Sequence, residues 1–170
     1  MEFDKVIRER YSCRKFSDKE VTKDLIEKIL EAGRIAPTAK NIQPVKIYVI
    51  SSKEGLTKID KASPCRYNAP VVLLVCADKD KAYTKRDGIQ LYMMDASIVT
   101  THMMLEATNI GVDNIWIELF DGEIIRNEFN IPSNLEPVCM LPIGYKEDDC
   151  TPGPLHSQRK ELNEIVVYED

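Results

Sequence analysis

A cluster of basic residues surrounds one serine near the start of the chain, in the stretch RERYSCRKF at residues 8–16. If this stretch is extended, its side chains alternate between two sides with a period of two. Arg10, Ser12 and Arg14 then point the same way, and two cations flank a hydroxyl donor. This arrangement suits a phosphate group. The alternative is a basic surface that is simply exposed to solvent.

A second polar cluster, APTAKNIQP at residues 36–44, lies between a predicted helix and a predicted strand, where loops commonly carry function. Thr38 offers a hydroxyl, and Asn41 and Gln43 offer amide groups that both donate and accept hydrogen bonds. This combination suits the edge of a planar ring with alternating donors and acceptors. The alternative is ordinary turn chemistry between two prolines.

Two further cations, Arg159 and Lys160, lie near the end of the chain. They are either exposed charges or, if this part folds back toward Arg10 and Arg14, additional cations for the phosphate. The sequence contains no Gly-rich nucleotide motif, nucleophile elbow or HExxH zinc motif, and Ser12 has no evident His–Asp pair. If the chain is an enzyme, we therefore expect a bound cofactor to supply the chemistry, without catalytic side chains or a metal.

The composition indicates one globular domain over residues 1–170, since 44% of the residues are hydrophobic and 30% are charged. A net charge of -5 argues against sequence-independent nucleic-acid binding. No apolar run approaches the roughly 18 residues of a membrane helix, and MEFDKVIRER has charges where a signal peptide is apolar. Five cysteines without CxxC spacing argue against a zinc site or a disulfide framework. We expect a cytoplasmic protein without a membrane or nucleic-acid partner.

Hydrophobic patterning predicts an α+β fold in which helices flank a central sheet. Thr22 is a suitable N-cap for the second helix, and Pro37 ends it. Residues 70–77 are apolar without alternation, as in a central strand that is covered on both faces. Residues 89–109 are apolar around most of a helix, which must be buried in the core or against a partner. The other predicted elements are helices at 3–9 and 122–129, strands at 46–50, 114–120 and 137–145, and a short closing strand in EIVVYED.

The order of these segments resembles the FMN-dependent nitroreductase family. RERYSCRKF, APTAKNIQP, DASIVTTHMMLEATNIGVDNIWI, LPIGY and a late arginine follow one another over nearly the whole chain. The resemblance implies a nitroreductase-like α+β fold with a central mixed, largely antiparallel sheet flanked by helices. It also implies an intertwined homodimer with two FMN molecules at the interface.

The resemblance further implies which residues contact the cofactor. The RxSxR segment and a late arginine bind the FMN phosphate in this family. The loop after the second helix contacts the ring and the ribityl chain from the partner subunit, and the backbone after NIWI approaches flavin N5. The residues at the matching positions are Arg10, Tyr11, Ser12, Arg14, Pro37, Thr38, Ala39, Asn41, Gln43, Ile117, Glu118, Leu119 and Arg159.

The implied function is ping-pong hydride transfer from NADH or NADPH, via flavin N5, to a small acceptor such as a nitroaromatic or a quinone. The alternatives are a non-catalytic FMN-binding carrier or sensor, and a structural dimer whose basic cluster is solvated. Three positions depart from the family pattern. Thr38 stands where serine is commoner and keeps the hydroxyl, and Val45 replaces the usual aromatic residue after the QP pair. Leu119 stands where glycine is frequent and alters the approach to N5.

Overall fold

The computed structural model describes residues 1–169 of the 170-residue chain. Within that part of the chain, the α-helices are α1 (Phe3–Glu9), α2 (Lys23–Arg34), α3 (Lys53–Ala62), α4 (Tyr92–Asn109) and α5 (Gly122–Phe129). The strands are β1 (Val45–Ile50), β2 (Val71–Asp78), β3 (Asp113–Asn114) and β4 (Leu135–Gly144).

The strands form one sheet in the order β1-β2-β4-β3, in which every neighbouring pair is antiparallel. Ser12 forms a parallel bridge with Asn114 of β3, so the amino-terminal segment extends the sheet and makes it mixed. All residues of β2 are buried, as its unbroken apolar sequence predicts. The predicted α+β fold with a central, largely antiparallel sheet is confirmed.

Helices cover both faces of this sheet. Because side chains alternate along a strand, Leu73 of β2 belongs to one buried cluster with Ile29 of α2 and Met103 of α4. Leu74 belongs to the cluster on the opposite face, which includes Ile59 of α3. Each fully buried side chain of this size contributes about 1.5–3 kcal/mol of hydrophobic stabilisation. The sheet is therefore a rigid layer that holds the segments leaving its ends in place.

Two parts of the chain differ from the predicted elements. Helix α3, which the hydrophobic pattern does not predict, begins after Ser52, whose hydroxyl accepts a hydrogen bond from Gly55 N–H at 3.1 Å. The predicted strand at 114–120 is wrong for most of its length, because β3 is two residues long. After β3, the Ile115 N–H still donates to the Pro142 carbonyl of β4 at 3.2 Å, and Ile117 forms an isolated bridge to Met140.

The closing strand predicted in EIVVYED is also wrong. A 3-10 turn at Leu162–Glu164 is followed by residues 165–169, which form no strand and pair with none in the described part of the chain. Asp170 lies outside the described residues. Three consecutive β-branched residues, 165–167, are typical of a strand, but Val167 is 82% exposed and lies against no strand in the described part of the chain.

The long helix α4 begins at Tyr92, three residues later than predicted. Val99 and Met103 are buried on one side, whereas Met94 and Ile98 are exposed on another. The prediction of an almost fully buried helix therefore holds for only one side within a single chain. Nowhere in residues 1–169 does a helix combine the length and the apolar character that crossing a membrane requires.

Candidate functional site

The amino-terminal segment at residues 10–16 lies along one edge of the sheet. Cys13 N–H donates to the Asn114 carbonyl at 3.0 Å, and Phe16 bridges to Lys146 just after β4. Cys13 and Phe16 are buried, which fixes the segment against the core. Because burial raises the pKa of the Cys13 thiol to about 12, this side chain stays neutral. Ligand binding by this segment therefore depends on the polar residues on either side of Cys13.

A cavity of about 340 Å³ opens beside this segment. Arg10, Ser12 and Arg14 line it from the amino-terminal end of the chain, and Arg159 lines it from the carboxyl-terminal end. The structure therefore brings together all three arginines that the sequence analysis selected. We call this space the arginine cavity. Its remaining lining residues are Tyr11, Gly153, Pro154, Leu155 and His156.

The guanidinium groups of the arginine cavity have no carboxylate partner in residues 1–169. Among the five arginines outside the cavity, four form an ion pair with Asp or Glu, namely Arg8, Arg34, Arg66 and Arg126, whereas Arg86 forms none within residues 1–169. By contrast, Arg14 and Arg159 donate to main-chain carbonyl oxygens. Burial and the nearby charge of Arg159 lower the pKa of Arg10. Like charges that converge without a counter-charge favour the binding of an anion.

The loop at residues 37–43 has an unusual backbone. Lys40, Asn41 and Gln43 have φ angles of 51°, 55° and 56°, in the left-handed region that residues other than glycine rarely adopt. The Thr38 carbonyl accepts a hydrogen bond from Asn41 N–H at 2.9 Å, and the Thr38 hydroxyl accepts one from Gln43 N–H at 3.0 Å. These bonds turn the loop so that the side chains of Asn41 and Gln43 are exposed.

A hydrogen bond attaches this loop to α4, since Ala39 N–H donates to Asp95 Oδ1 at 2.8 Å. Thr38 and Gln43 line a second cavity of about 300 Å³ near α2 and β1, and Pro37 is exposed beside it. None of the loop residues lines the arginine cavity within residues 1–169. In a single chain, the two predicted sets of cofactor-binding residues therefore lie at separate places.

The third predicted set, Ile117, Glu118 and Leu119, follows β3. Ile117 is buried and exchanges backbone hydrogen bonds with Met140 of β4 at 2.9 and 2.8 Å. Leu119 is 69% exposed, and its carbonyl accepts a hydrogen bond from the Ser63 hydroxyl at 2.6 Å. The N–H groups of Glu118 and Leu119 donate to no atom in residues 1–169. A firmly held segment thus presents two backbone donors next to an exposed apolar side chain.

A protein-family model matches most of the chain: the model for the nitroreductase family covers residues 7–66 and 61–145. The chain belongs to the nitroreductase family. A relative from Methanothermobacter thermautotrophicus, named "Putative NADH dehydrogenase/NAD(P)H nitroreductase", is 32% identical over 150 residues. That match covers 84% of this chain and 76% of the relative. The resemblance found in the sequence motifs is therefore confirmed.

Solved structures of other nitroreductases have the same fold. The crystal structure of a nitroreductase family protein from Clostridium difficile 630 is 46% identical, with a TM-score of 0.94 over 100% of this chain and 99% of that one. An FMN-dependent nitroreductase from Clostridium difficile R20291 is 27% identical, with a TM-score of 0.77 over 97% of this chain and 98% of that one. The nitroreductase-like fold is thus shown over the whole described chain.

Two residues at the sites of this nitroreductase family member, His156 and Asp95, were not predicted from the sequence. His156 lines the arginine cavity, and its ring meets the Tyr11 ring edge-on at 6.3 Å between centroids. The Tyr11 hydroxyl is buried without a hydrogen-bond partner in residues 1–169, and burial is the main cause that raises its pKa. The turn-forming Pro-Gly-Pro at 152–154 is the one sequence signal that marks this return of the chain. Asp95 carries no such signal, because its contact spans 56 positions.

Proposed function

We propose that this nitroreductase family member is an FMN-dependent oxidoreductase. It moves hydride equivalents from NADH or NADPH to a small acceptor such as a nitroaromatic or a quinone. The observation that carries the proposal is the convergence of Arg10, Arg14 and Arg159 on one cavity without a carboxylate from residues 1–169. The names of its relatives, FMN-dependent nitroreductase and NAD(P)H nitroreductase, support the same activity.

The residues of the arginine cavity fit a phosphate monoester such as the one FMN carries. A guanidinium group binds phosphate oxygens through paired N–H donors, and Ser12 adds a hydroxyl between two of them. Without an anion, the Arg10 charge is disfavoured by burial and by Arg159, as its lowered pKa indicates. A bound dianion offsets both effects, so the local charge balance supports this ligand class.

The other predicted residues suit the ring and the ribityl chain. The exposed amides of Asn41 and Gln43 both donate and accept, and the N–H groups of Glu118 and Leu119 are available as donors. When bound, a flavin accepts hydride from reduced nicotinamide and passes it to an acceptor. The residues of this chain would bind the phosphate, orient the ring and place fixed backbone donors next to the ring.

We also propose that two chains form a homodimer in which each site uses both protomers. The support is that the loop at 37–43 and the arginine cavity do not meet within one chain. A second chain supplies the missing half of each site if its loop reaches the first chain's arginines. The exposed apolar residues of α4, Met94 and Ile98, give such a dimer a surface to bury.

The partners in this proposal are therefore a second copy of the chain and a small electron acceptor. We place the protein in the cytoplasm, because its five cysteines are free thiols, four of them buried, and thiols persist in a reducing compartment.

A flavin-binding carrier or sensor without turnover is the second candidate. Leu119 favours it, because a 69% exposed leucine beside the free N–H groups narrows the approach to a ring held there. Reduced nicotinamide separates the two functions. An enzyme loses its yellow colour on addition of NADH or NADPH and regains it when a quinone is added, whereas a carrier keeps its colour throughout.

The phosphate assignment is tested by replacing Arg10 and Arg14 together with alanine. Each charged contact contributes about 1.5–3 kcal/mol, so we expect the double variant to bind FMN at least about a hundredfold more weakly. It should purify colourless, with an unchanged far-ultraviolet circular dichroism spectrum. The absorption spectrum of the freshly purified protein provides the measurement.

The matched control removes two positive charges away from the cavity, through Arg8→Ala with Lys23→Ala. Both side chains are exposed and pair within their own helices, with Asp4 and Glu27, and such pairs contribute little. We expect this variant to be as yellow as the parent. A yellow Arg10→Ala/Arg14→Ala protein, or a colourless control, would contradict the phosphate assignment.

A further inference from the structure

A buried carboxylate lies under the loop at residues 37–43. Asp95 is in the first turn of α4 and is only 2% exposed. Its Oδ1 atom accepts the Ala39 N–H at 2.8 Å. Its Oδ2 atom is buried and has no hydrogen-bond partner within residues 1–169, and none of the ion pairs described there involves Asp95.

Burial of this carboxylate destabilises the folded chain. A buried charged group is destabilising unless hydrogen bonds and an opposite charge compensate it. Among the described residues, Asp95 has one hydrogen bond and no ion pair, so an apolar side chain at this position would be less destabilising. An unsatisfied buried oxygen of this kind points to a role other than stability.

The loop at 37–43, which the carboxylate binds through Ala39, indicates the role of Asp95. Lys40, Asn41 and Gln43 all have left-handed backbone angles, and such a conformation persists only where the surroundings impose it. The other hydrogen bonds of residues 37–43 in the described chain close within the loop itself. The bond from Ala39 to Asp95 is therefore the hydrogen bond that fixes the loop to a rigid element.

We propose that Asp95 is a positioning residue for flavin binding: it holds the loop at 37–43 in the shape that presents Thr38, Asn41 and Gln43, at the expense of stability. This inference rests on the proposed flavin function. It assigns a residue outside the cofactor-contacting set, and it predicts that stability and flavin affinity respond in opposite ways when the side-chain acceptor is removed, as in Asp95→Ala.

Two variants separate the hydrogen bond from the charge. Asp95→Ala removes the acceptor, whereas Asp95→Asn keeps a side-chain oxygen that can accept the same N–H. Loss of a hydrogen bond to a charged group predicts FMN binding that is about tenfold weaker, or more, in Asp95→Ala. Asp95→Asn should stay within about threefold of the parent, since its amide oxygen preserves the contact. Both apoproteins should melt at or above the parent's temperature, because an uncompensated buried charge has gone.

A second measurement does not depend on bound flavin. In the apoprotein, the Ala39 amide should exchange slowly with solvent in the parent and in Asp95→Asn, and quickly in Asp95→Ala. Glu106→Ala, which removes a carboxylate further along the same helix, is the control and should change neither the exchange of Ala39 nor the affinity for FMN. FMN affinity is measured by fluorescence titration of each apoprotein.

The outcomes discriminate between the ideas. If the parent itself does not bind FMN, the proposed function fails, and the positioning role fails with it. If the parent binds FMN and Asp95→Ala binds it equally well, only the positioning role is overturned. If both Asp95 variants melt lower than the parent and lose affinity to the same extent, Asp95 is a structural residue and the proposal is wrong.

Discussion

Arg159 and Lys160 are adjacent cations, yet only Arg159 lines the arginine cavity. Its charge contributes to the lowered pKa of Arg10, so the two guanidinium groups are close enough to repel each other electrostatically. We expect Arg159→Ala to weaken FMN binding by about tenfold or more, as loss of one charged contact predicts. The neighbouring Lys160→Ala variant should leave the affinity nearly unchanged.

The comparison is made by fluorescence titration with FMN at two salt concentrations. Surface charges act over distances that salt screens, whereas a direct contact is screened much less. The deficit of Arg159→Ala should therefore persist at the higher salt concentration. Equal losses in both variants, disappearing at high salt, would mean that overall charge attracts the flavin and that no specific contact exists.

At the residue scale, the sequence predicts contacts that follow from local geometry. The period of two in an extended segment predicts that Arg10, Ser12 and Arg14 share one side, and all three line one cavity, although Tyr11 between them lines it as well. It does not reveal Asp95, whose carboxylate is an isolated charge in an apolar helix and whose importance depends on the distant Ala39. Contacts between remote segments require the fold.

The end of β4 shows how an element holds the site. At Gly144, an added Cβ atom would lie 2.7 Å from Pro70 Cδ and 2.9 Å from Phe16 Cδ1. Both neighbours are ring atoms that cannot rotate away, so this close approach requires glycine. Since Phe16 anchors the segment that carries Arg14, packing at the end of β4 also sets the position of the arginines.

We therefore expect Gly144→Ala to lower the free energy of unfolding by about 1–3 kcal/mol, the usual effect of overpacking, and to weaken FMN binding as well. Gly122→Ala is the matched control, because nothing lies within 4 Å of its added Cβ atom at the start of α5. Urea unfolding and FMN titration of both variants check the expectation. A Gly144→Ala protein as stable as Gly122→Ala would show that the segment at 10–16 can shift freely.

At the element scale, the sequence is most informative where one pattern dominates. The unbroken apolar run of β2 and the amphipathic pattern of α2 made these elements predictable. Thr22 lies at the expected N-cap position of α2, but its hydroxyl makes no capping hydrogen bond. Helix α3 was not predictable, because its buried side consists mainly of small residues around Ile59. The stretch at 114–120 has the apolar pattern of a strand, but β3 ends at Asn114, and the N–H groups of Glu118 and Leu119 have no acceptor in the described part of the chain.

The molecule as a whole has apolar surface that one chain does not cover. Part of it lies on α4, and part lies in the final segment, where a predicted strand finds no partner within the described chain. Both observations agree with a second protomer that packs on α4. The exposed side chains concerned are Met93, Met94, Ile98, Leu162, Ile165, Val167 and Tyr168.

The homodimer proposal predicts a native mass of twice the 19.4 kDa of one chain, measured by light scattering after size-exclusion chromatography. Ile98→Glu places a charge in the apolar face of α4, where burial of an unpaired charge is strongly unfavourable. We expect this variant to be monomeric and colourless, because the loop at 37–43 of one chain then no longer reaches the arginine cavity of the other. Thr57→Glu, on the exposed side of α3, is the control and should remain dimeric and yellow.

The proposal requires that a variant that loses the dimer mass also loses the yellow colour of bound flavin. Flavin binding and dimer formation are then thermodynamically linked, since each protomer contributes half of each site and FMN stabilises only the assembled state. Added FMN should accordingly shift a partly dissociated sample toward the dimer mass. A yellow Ile98→Glu monomer would instead mean that one chain brings its loop and its arginines to the same flavin, which the separate cavities of the single chain argue against.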